Sequence, residues 1–244
     1  RAIIADEVAV NFQPIINIAD GALLGFEALA RWTDRDLGFI SPGLFIPLAE
    51  ERGFIDSLTD TLLRKAAETA KNWPSHLFLS FNLSSIQLTD PATCHNVMAI
   101  LSSVGLDPRR LELEITETAM MSDPETAGEV VNELRSFGIR ISLDDFGTGQ
   151  SSLGRLRDFA FDKVKIDRSF VNEITVDRSS ETIVKAILAM CDGLDLKVIA
   201  EGIETPEQAA KLLELGCRAG QGYLFGKAVN SETTYALIKS EREA

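Results

Sequence analysis

Short runs dominated by Val, Ile, Leu and Phe alternate along this chain with longer stretches of helical period. Eight of the short runs read as strands: Val8–Asn17, Leu23–Ala30, Phe78–Asn82, Leu111–Thr116, Arg140–Asp144, Lys163–Asp167, Lys197–Glu201 and Ala219–Leu224. Several intervening stretches carry helix start and stop signals. Ser41-Pro42 opens one that Gly53 closes; Asp123-Pro124 pairs in the same way with Gly138, Thr205-Pro206 with Gly216, and Asp177 with Gly193. Strand, helix, strand repeated over 244 residues without a linker or low-complexity segment predicts a single domain, 1–244, folded as an α/β, TIM-like (β/α)8 barrel. The start departs from that pattern. Only Ile18-Ala19-Asp20-Gly21 separates the first two strands, and Asp-Gly is a hairpin turn, so the first strand is expected to run antiparallel to the second.

Composition narrows the chemistry. With 24 Lys+Arg against 37 Asp+Glu the net charge is −13, which opposes binding to polymeric nucleic acid or to an anionic membrane surface. No apolar run reaches the ~18 residues that a membrane-spanning helix needs. Only two histidines occur, His76 and His95, so histidine-bound zinc and Ser/His/Asp triads are poorly supplied. Cys94, Cys191 and Cys217 stand at wide, unpaired spacings, which suggests a reduced, cytoplasmic setting. The chain opens at Arg1 rather than Met and is read as part of a longer protein, with a regulatory domain elsewhere.

The carboxylates are therefore the chemistry to follow. In Leu111–Thr116 the apolar residues take one face and Glu112, Glu114 and Thr116 the other. A half-exposed antiparallel strand with a solvated acidic face would look the same. In a barrel strand, covered on both sides, such acids persist only when paired or metal-bound. Repetition favours the barrel: Glu27, Asn82, Asp144-Asp145 and Glu201 also stand near the carboxyl ends of strands, which in a barrel converge on one mouth. Oxygen ligands without His or Cys define a hard-cation site suited to magnesium or manganese, and five acids together leave room for two ions. Lys165, between Val164 and Ile166, points away from its apolar neighbours; it is either a snorkelling surface lysine or a residue that orients the attacking water. The loop after Asp145, Phe146 to Ser152, resembles a phosphate cradle but lacks the Gly-Lys-Ser/Thr ending of a P-loop.

Eight motifs taken together resemble a known family. Gln13-Pro14-Ile15, Glu27-Ala28-Leu29-Ala30-Arg31, Asn82-Leu83-Ser84, Glu114-Ile115-Thr116-Glu117, Asp144 to Gly149, Lys165-Ile166-Asp167, Glu201-Gly202-Ile203-Glu204 and Gln221 to Phe225 follow, in order, the pattern of the EAL-domain cyclic di-GMP phosphodiesterases. The resemblance implies hydrolysis of cyclic di-GMP to linear pGpG in bacterial signalling. It implies two Mg2+ or Mn2+ ions held by Glu27, Asn82, Glu114, Asp144, Asp145 and Glu201, with Asp144 bridging. Lys165 and Glu201 would act on the attacking water. Gln13, Leu29, Arg31 and Gln221 would contact substrate, and Glu117 would anchor the loop after Asp145, through which a homodimer forms. A GGDEF or other regulatory domain is implied in the parent chain. Gln150 and Ala228-Val229-Asn230 depart from the family pattern, which bears on loop conformation and guanine contacts rather than on the ligands. Two other functions compete: a receptor that binds cyclic di-GMP without cutting it, and a barrel that hydrolyses another phosphodiester.

Overall fold

The structure is a computed structural model that describes residues 7–116, 123–147 and 159–243. Nine strands form one sheet: β1 (Val8–Asn17), β2 (Leu23–Asp34), β3 (Gly38–Ile40), β4 (Phe78–Asn82), β5 (Leu111–Thr116), β6 (Arg140–Phe146), β7 (Lys163–Ile166), β8 (Lys197–Ala200) and β9 (Ala219–Gln221). Pairing runs β1-β9-β8-β7-β6-β5-β4-β2, and β1 also pairs β2, so eight strands close into a barrel. β1 is antiparallel to both of its neighbours, as the short connection to β2 demands of that pair, and the other barrel pairs are parallel.

β3 was not anticipated from the sequence. It is three residues long and pairs antiparallel with the end of β2, where the Asp34 carboxylate accepts from the amides of Asp36 and Leu37 and turns the chain. β2 accordingly runs on to Asp34 rather than ending at Ala30. Three strands stop short of their expected ends. Asp167 leaves the sheet to cap the helix Arg168–Asn172, accepting from the Ser169 amide; Glu201 sits just past β8; and β9 ends at Gln221.

The helix signals largely hold. Asp123 caps Pro124–Ser136, Asp177 caps Arg178–Gly193, and Thr205 forms a capping box with Gln208 ahead of Pro206–Glu214. Ser41 precedes Pro42–Glu51 without a side-chain cap. Gly193 is a correction: it is the last helical residue, and the left-handed position that turns the chain is Asp195 at φ 57°.

Alternation along each strand divides the molecule. Outward side chains such as Leu111, Leu113 and Ile115 are buried beneath helices, for example Ile55–Ala70, whose Leu58, Leu62, Leu63 and Ala66 face the sheet. Trp73 closes this layer against Phe12 and Phe26, with ring centroids 5.5 and 4.9 Å away. The inward set is different. Ile15, Phe78 and Ile199 form a small separate apolar cluster inside the barrel, and most other inward positions are polar or charged. The acidic alternation of β5 is therefore a barrel strand and not a solvated face, since Glu112 and Glu114 are both fully buried.

Candidate active site

The carboxyl ends of the strands bring the expected acids together around one lysine. Lys165 on β7 is 1% exposed, and its Nζ lies 2.5 Å from Glu201 Oε1, 2.8 Å from Glu114 Oε2, 3.4 Å from Asp144 Oδ1 and 3.8 Å from Glu27 Oε1. The snorkelling alternative is thereby excluded. Glu27 on β2 accepts from Asn82 Nδ2 at 2.8 Å and from Gln221 Nε2 at 2.6 Å, while Ser80 Oγ donates to Glu114 Oε1 at 2.6 Å. The register explains the convergence: Glu27 is level with Ser80, Asn82 with Glu114, and Thr116 with Asp144 on adjoining strands.

Four carboxylates facing one ammonium cannot all ionise at ordinary cost. Burial opposes charge on Lys165, but Glu114, Glu201, Glu27 and Asp144 outweigh it and hold the ammonium well above its usual value. Burial also opposes ionisation of Glu27; Lys165 and the amide donors of Gln221 and Asn82 overcome it, and the carboxyl lies below the usual range. Glu114 goes the other way, raised well above the ordinary value by burial and by Glu27, Asp144 and Glu201 despite Lys165. Burial pushes Glu201 up to about 7, with Asp144 and Glu27 opposing the help of Lys165. Asp145 is raised by burial and by Asp144 and Asp167, against Lys165 and Arg168.

Asp145 adopts φ 54°, which turns it away from the strand and beside Asp144. One oxygen each from Asp144, Asp145 and Glu201 lie within 4.8 Å of one another. Asp144 Oδ1 and Glu114 Oε2 are buried and face the Lys165 ammonium that they share, at 3.4 and 2.8 Å. Hard oxygen donors clustered within reach of one ion, and more negative charge than one shared ammonium offsets, together fit a divalent cation such as Mg2+ or Mn2+.

The expected substrate contacts separate. A cavity of about 240 Å3 opens over the acids and includes Gln13, Leu29 and Gln221 in its wall. Gln221 is buried and its Nε2 is committed to Glu27, so it orients a carboxylate, and Gln13 Nε2 reaches the Gly226 carbonyl at 3.3 Å. Arg31 does not line this cavity. Its Nη1 donates to the Ala30 carbonyl at 2.8 Å, and it lines a neighbouring, more apolar cavity of about 350 Å3 with Pro42, Ile46 and Leu58; Leu29 borders both. Glu117, Gln150 and the segment expected to carry the dimer contact lie outside the described residues. Val229 of the departing segment exchanges backbone hydrogen bonds with Phe12, at 2.7 and 3.0 Å, so it extends the edge of β1.

Sequence reasoning missed Arg168, Glu204 and Tyr223, which also line the acidic cavity. Each stands two to four residues past a strand end, Arg168 at the start of the helix Arg168–Asn172 and the other two in connecting segments; carrying the strand-end rule into the following connections would have found them. It also missed Lys163, whose alternation with Lys165 mirrors that of Glu112 with Glu114.

The family model described as the EAL domain matches residues 1–228. The chain belongs to the EAL domain family. An uncharacterized signaling protein of Caulobacter vibrioides is 45% identical over 227 residues, covering 93% of this chain and 28% of the relative. The cyclic di-GMP phosphodiesterase NbdA of Pseudomonas aeruginosa is 39% identical over 246 residues, covering 99% of this chain and 31% of that protein. The chain thus spans less than a third of the length of these two relatives. Among solved structures, the PaMucR phosphodiesterase in its c-di-GMP complex aligns with a TM-score of 0.91 at 35% identity, covering 96% of each chain. Among the described residues no helix is long and apolar enough to cross a membrane.

Proposed function

We propose that this domain hydrolyses cyclic di-GMP to linear pGpG with the help of divalent cations. The observation that carries the proposal is the set of four carboxylates converging on the buried ammonium of Lys165, in a chain 39% identical over 246 residues to a protein named as a cyclic di-GMP phosphodiesterase. Glu27, Asn82, Glu114, Asp144, Asp145 and Glu201 are the residues that would hold two Mg2+ or Mn2+ ions, with Asp144 shared between them. Bound there, such ions neutralise the phosphodiester anion and ease ionisation of water.

The chain's own groups do the rest. Glu201 Oε1, held by Lys165 Nζ at the cavity wall, is the group placed to accept the proton of the attacking water. Lys165 Nζ fixes that carboxylate and supplies positive charge beside the reacting phosphate. Water oxygen adds to phosphorus, the bond from phosphorus to one ribose oxygen breaks, and the freed hydroxyl takes up the proton. Asn82 and Gln221 hold Glu27 in place through its two oxygens. Gln13 and Leu29 border the dinucleotide where it enters.

Incubation of the purified domain with cyclic di-GMP and Mg2+ or Mn2+, followed by chromatography, is expected to yield pGpG. Binding of cyclic di-GMP without pGpG, across several metal and protein concentrations, would identify a receptor instead. Faster cleavage of a linear dinucleotide would identify a different phosphodiesterase.

A further inference from the structure

The acidic cavity raises an electrostatic problem for an anionic ligand. Its wall contains the carboxylates of Glu27, Asp144, Glu201 and Glu204, and one cation, Arg168. Lys165 lies behind the wall with its charge already shared among four acids. Arg31, the phosphate fork that the resemblance implies, lines the adjoining cavity with Asn82 and not this wall.

Arg168 is exposed, and among the described residues its guanidinium makes no hydrogen bond and no ion pair within 4 Å. An arginine among carboxylates ordinarily collapses onto one of them. Here its stem is held by close packing. Gly202 sits at φ +71°, and a Cβ built there would stand 2.4 Å from Arg168 Cβ, so only glycine lets the Glu201–Glu204 turn lie against the arginine. Asp167 fixes the same residue from the other side by accepting from the amide and hydroxyl of Ser169. The backbone is pinned beside Glu201, while the guanidinium at the cavity wall acts on Asp145 through its charge but, among the described residues, makes no direct polar contact.

We infer that Arg168 is a substrate-binding residue whose guanidinium takes a phosphate oxygen of the dinucleotide as a ground-state anchor. The assignment rests on the phosphodiesterase activity proposed above. Arg168 lines the cavity but takes no part in the Lys165 cluster, so it is assigned to hold bound substrate and transition state alike, raising affinity without raising the rate of the chemical step.

Arg168→Met keeps an unbranched stem and removes the charge, and Arg168→Lys restores the charge without the fork. In the Mg2+-loaded protein, Arg168→Met is expected to raise KM for cyclic di-GMP about tenfold with kcat within about threefold of wild type. Calorimetric titration with pGpG, the product of the proposed reaction, is expected to show its Kd rising by a similar factor, with Arg168→Lys falling between. Unchanged KM and pGpG affinity in Arg168→Met, in a protein that makes pGpG normally when wild type, would overturn the assignment alone. So would a fall in kcat at constant KM, which marks a role in the chemical step. A wild-type protein that neither cleaves cyclic di-GMP nor binds pGpG would overturn the proposed function and this assignment with it.

Discussion

The barrel interior holds two charged layers, two residues apart on the same strands and balanced in opposite ways. In the lower layer Glu112 meets Lys163 Nζ at 2.5 Å and Arg140 Nε at 3.4 Å, so two cations serve one carboxylate. Lys163 Nζ also lies 3.7 Å from the centroid of the Phe78 ring, which belongs to the apolar cluster with Ile15 and Ile199. In the upper layer four carboxylates share Lys165. Both are buried, yet only the lower one supplies its own counter-charge. A fold that needed polar groups merely to fill its interior would have closed both layers the same way. The upper layer is left short of positive charge, and that shortage distinguishes a site from a structural ion pair.

Asp144→Asn tests the upper layer most severely. It removes one negative charge with almost no change of volume, and activity is expected to fall by more than the roughly 100-fold that loss of an outer partner of a metal ligand costs. The fold should survive, since one surplus carboxylate is neutralised; circular dichroism and the melting temperature in EDTA check that. Near-normal turnover would remove Asp144 from the site.

Removing the lysines separates the layers. Lys163→Met leaves Glu112 buried with only the half-exposed Arg140, and about 3 kcal/mol of stability is expected to be lost in denaturant titration, the lower end for a broken buried pair. Added Mg2+ should not restore it. Lys165→Met is also expected to destabilise the metal-free protein, but there Mg2+ or Mn2+ should recover much of the loss, because the acids left behind are those that would bind it. Equal rescue of both variants, or of neither, would break the distinction between the layers.

How much of this was legible beforehand follows from which interactions are local. The barrel, its antiparallel opening and the acids at its mouth follow from alternation within single strands and from the short turn at Asp20-Gly21, all of it short-range information. The register that sets Lys165 among Glu27, Glu114 and Glu201 is long-range. Strand-end periodicity predicted a shared mouth but not that one ammonium would contact four acids. Arg31 depends on long-range structure in the same way: β2 continues to Asp34 and pairs with β3, and Arg31 lines the adjoining cavity, which it shares with Asn82. Arg168 was passed over because its position depends on a contact with Gly202, 34 residues away, that no local pattern encodes.

The smallest expected effect is a difference in pH dependence. Glu201, pushed up to about 7 by burial and held back only partly by Lys165, ionises near 4.5 when unfolded. Between those values the folded, metal-free protein keeps a proton that the unfolded chain gives up, so stability falls as pH rises through the window. Glu114, raised well above its ordinary value by burial and by Glu27, acts in the same direction. In the lower layer burial depresses Lys163 despite Glu112; its term appears only toward alkaline pH and has the opposite sign, because there the unfolded chain holds the extra proton. Melting temperatures in EDTA from about pH 5 to 7.5 should therefore fall more steeply for wild type than for Glu201→Gln, while Lys163→Met keeps the wild-type slope. Added Mg2+ should flatten the wild-type slope, since the ion competes with the proton for the same oxygens, and should release protons below about pH 7. Parallel slopes for wild type and Glu201→Gln would show that Glu201 does not titrate in this window and that the upper layer meets its charge deficit without it.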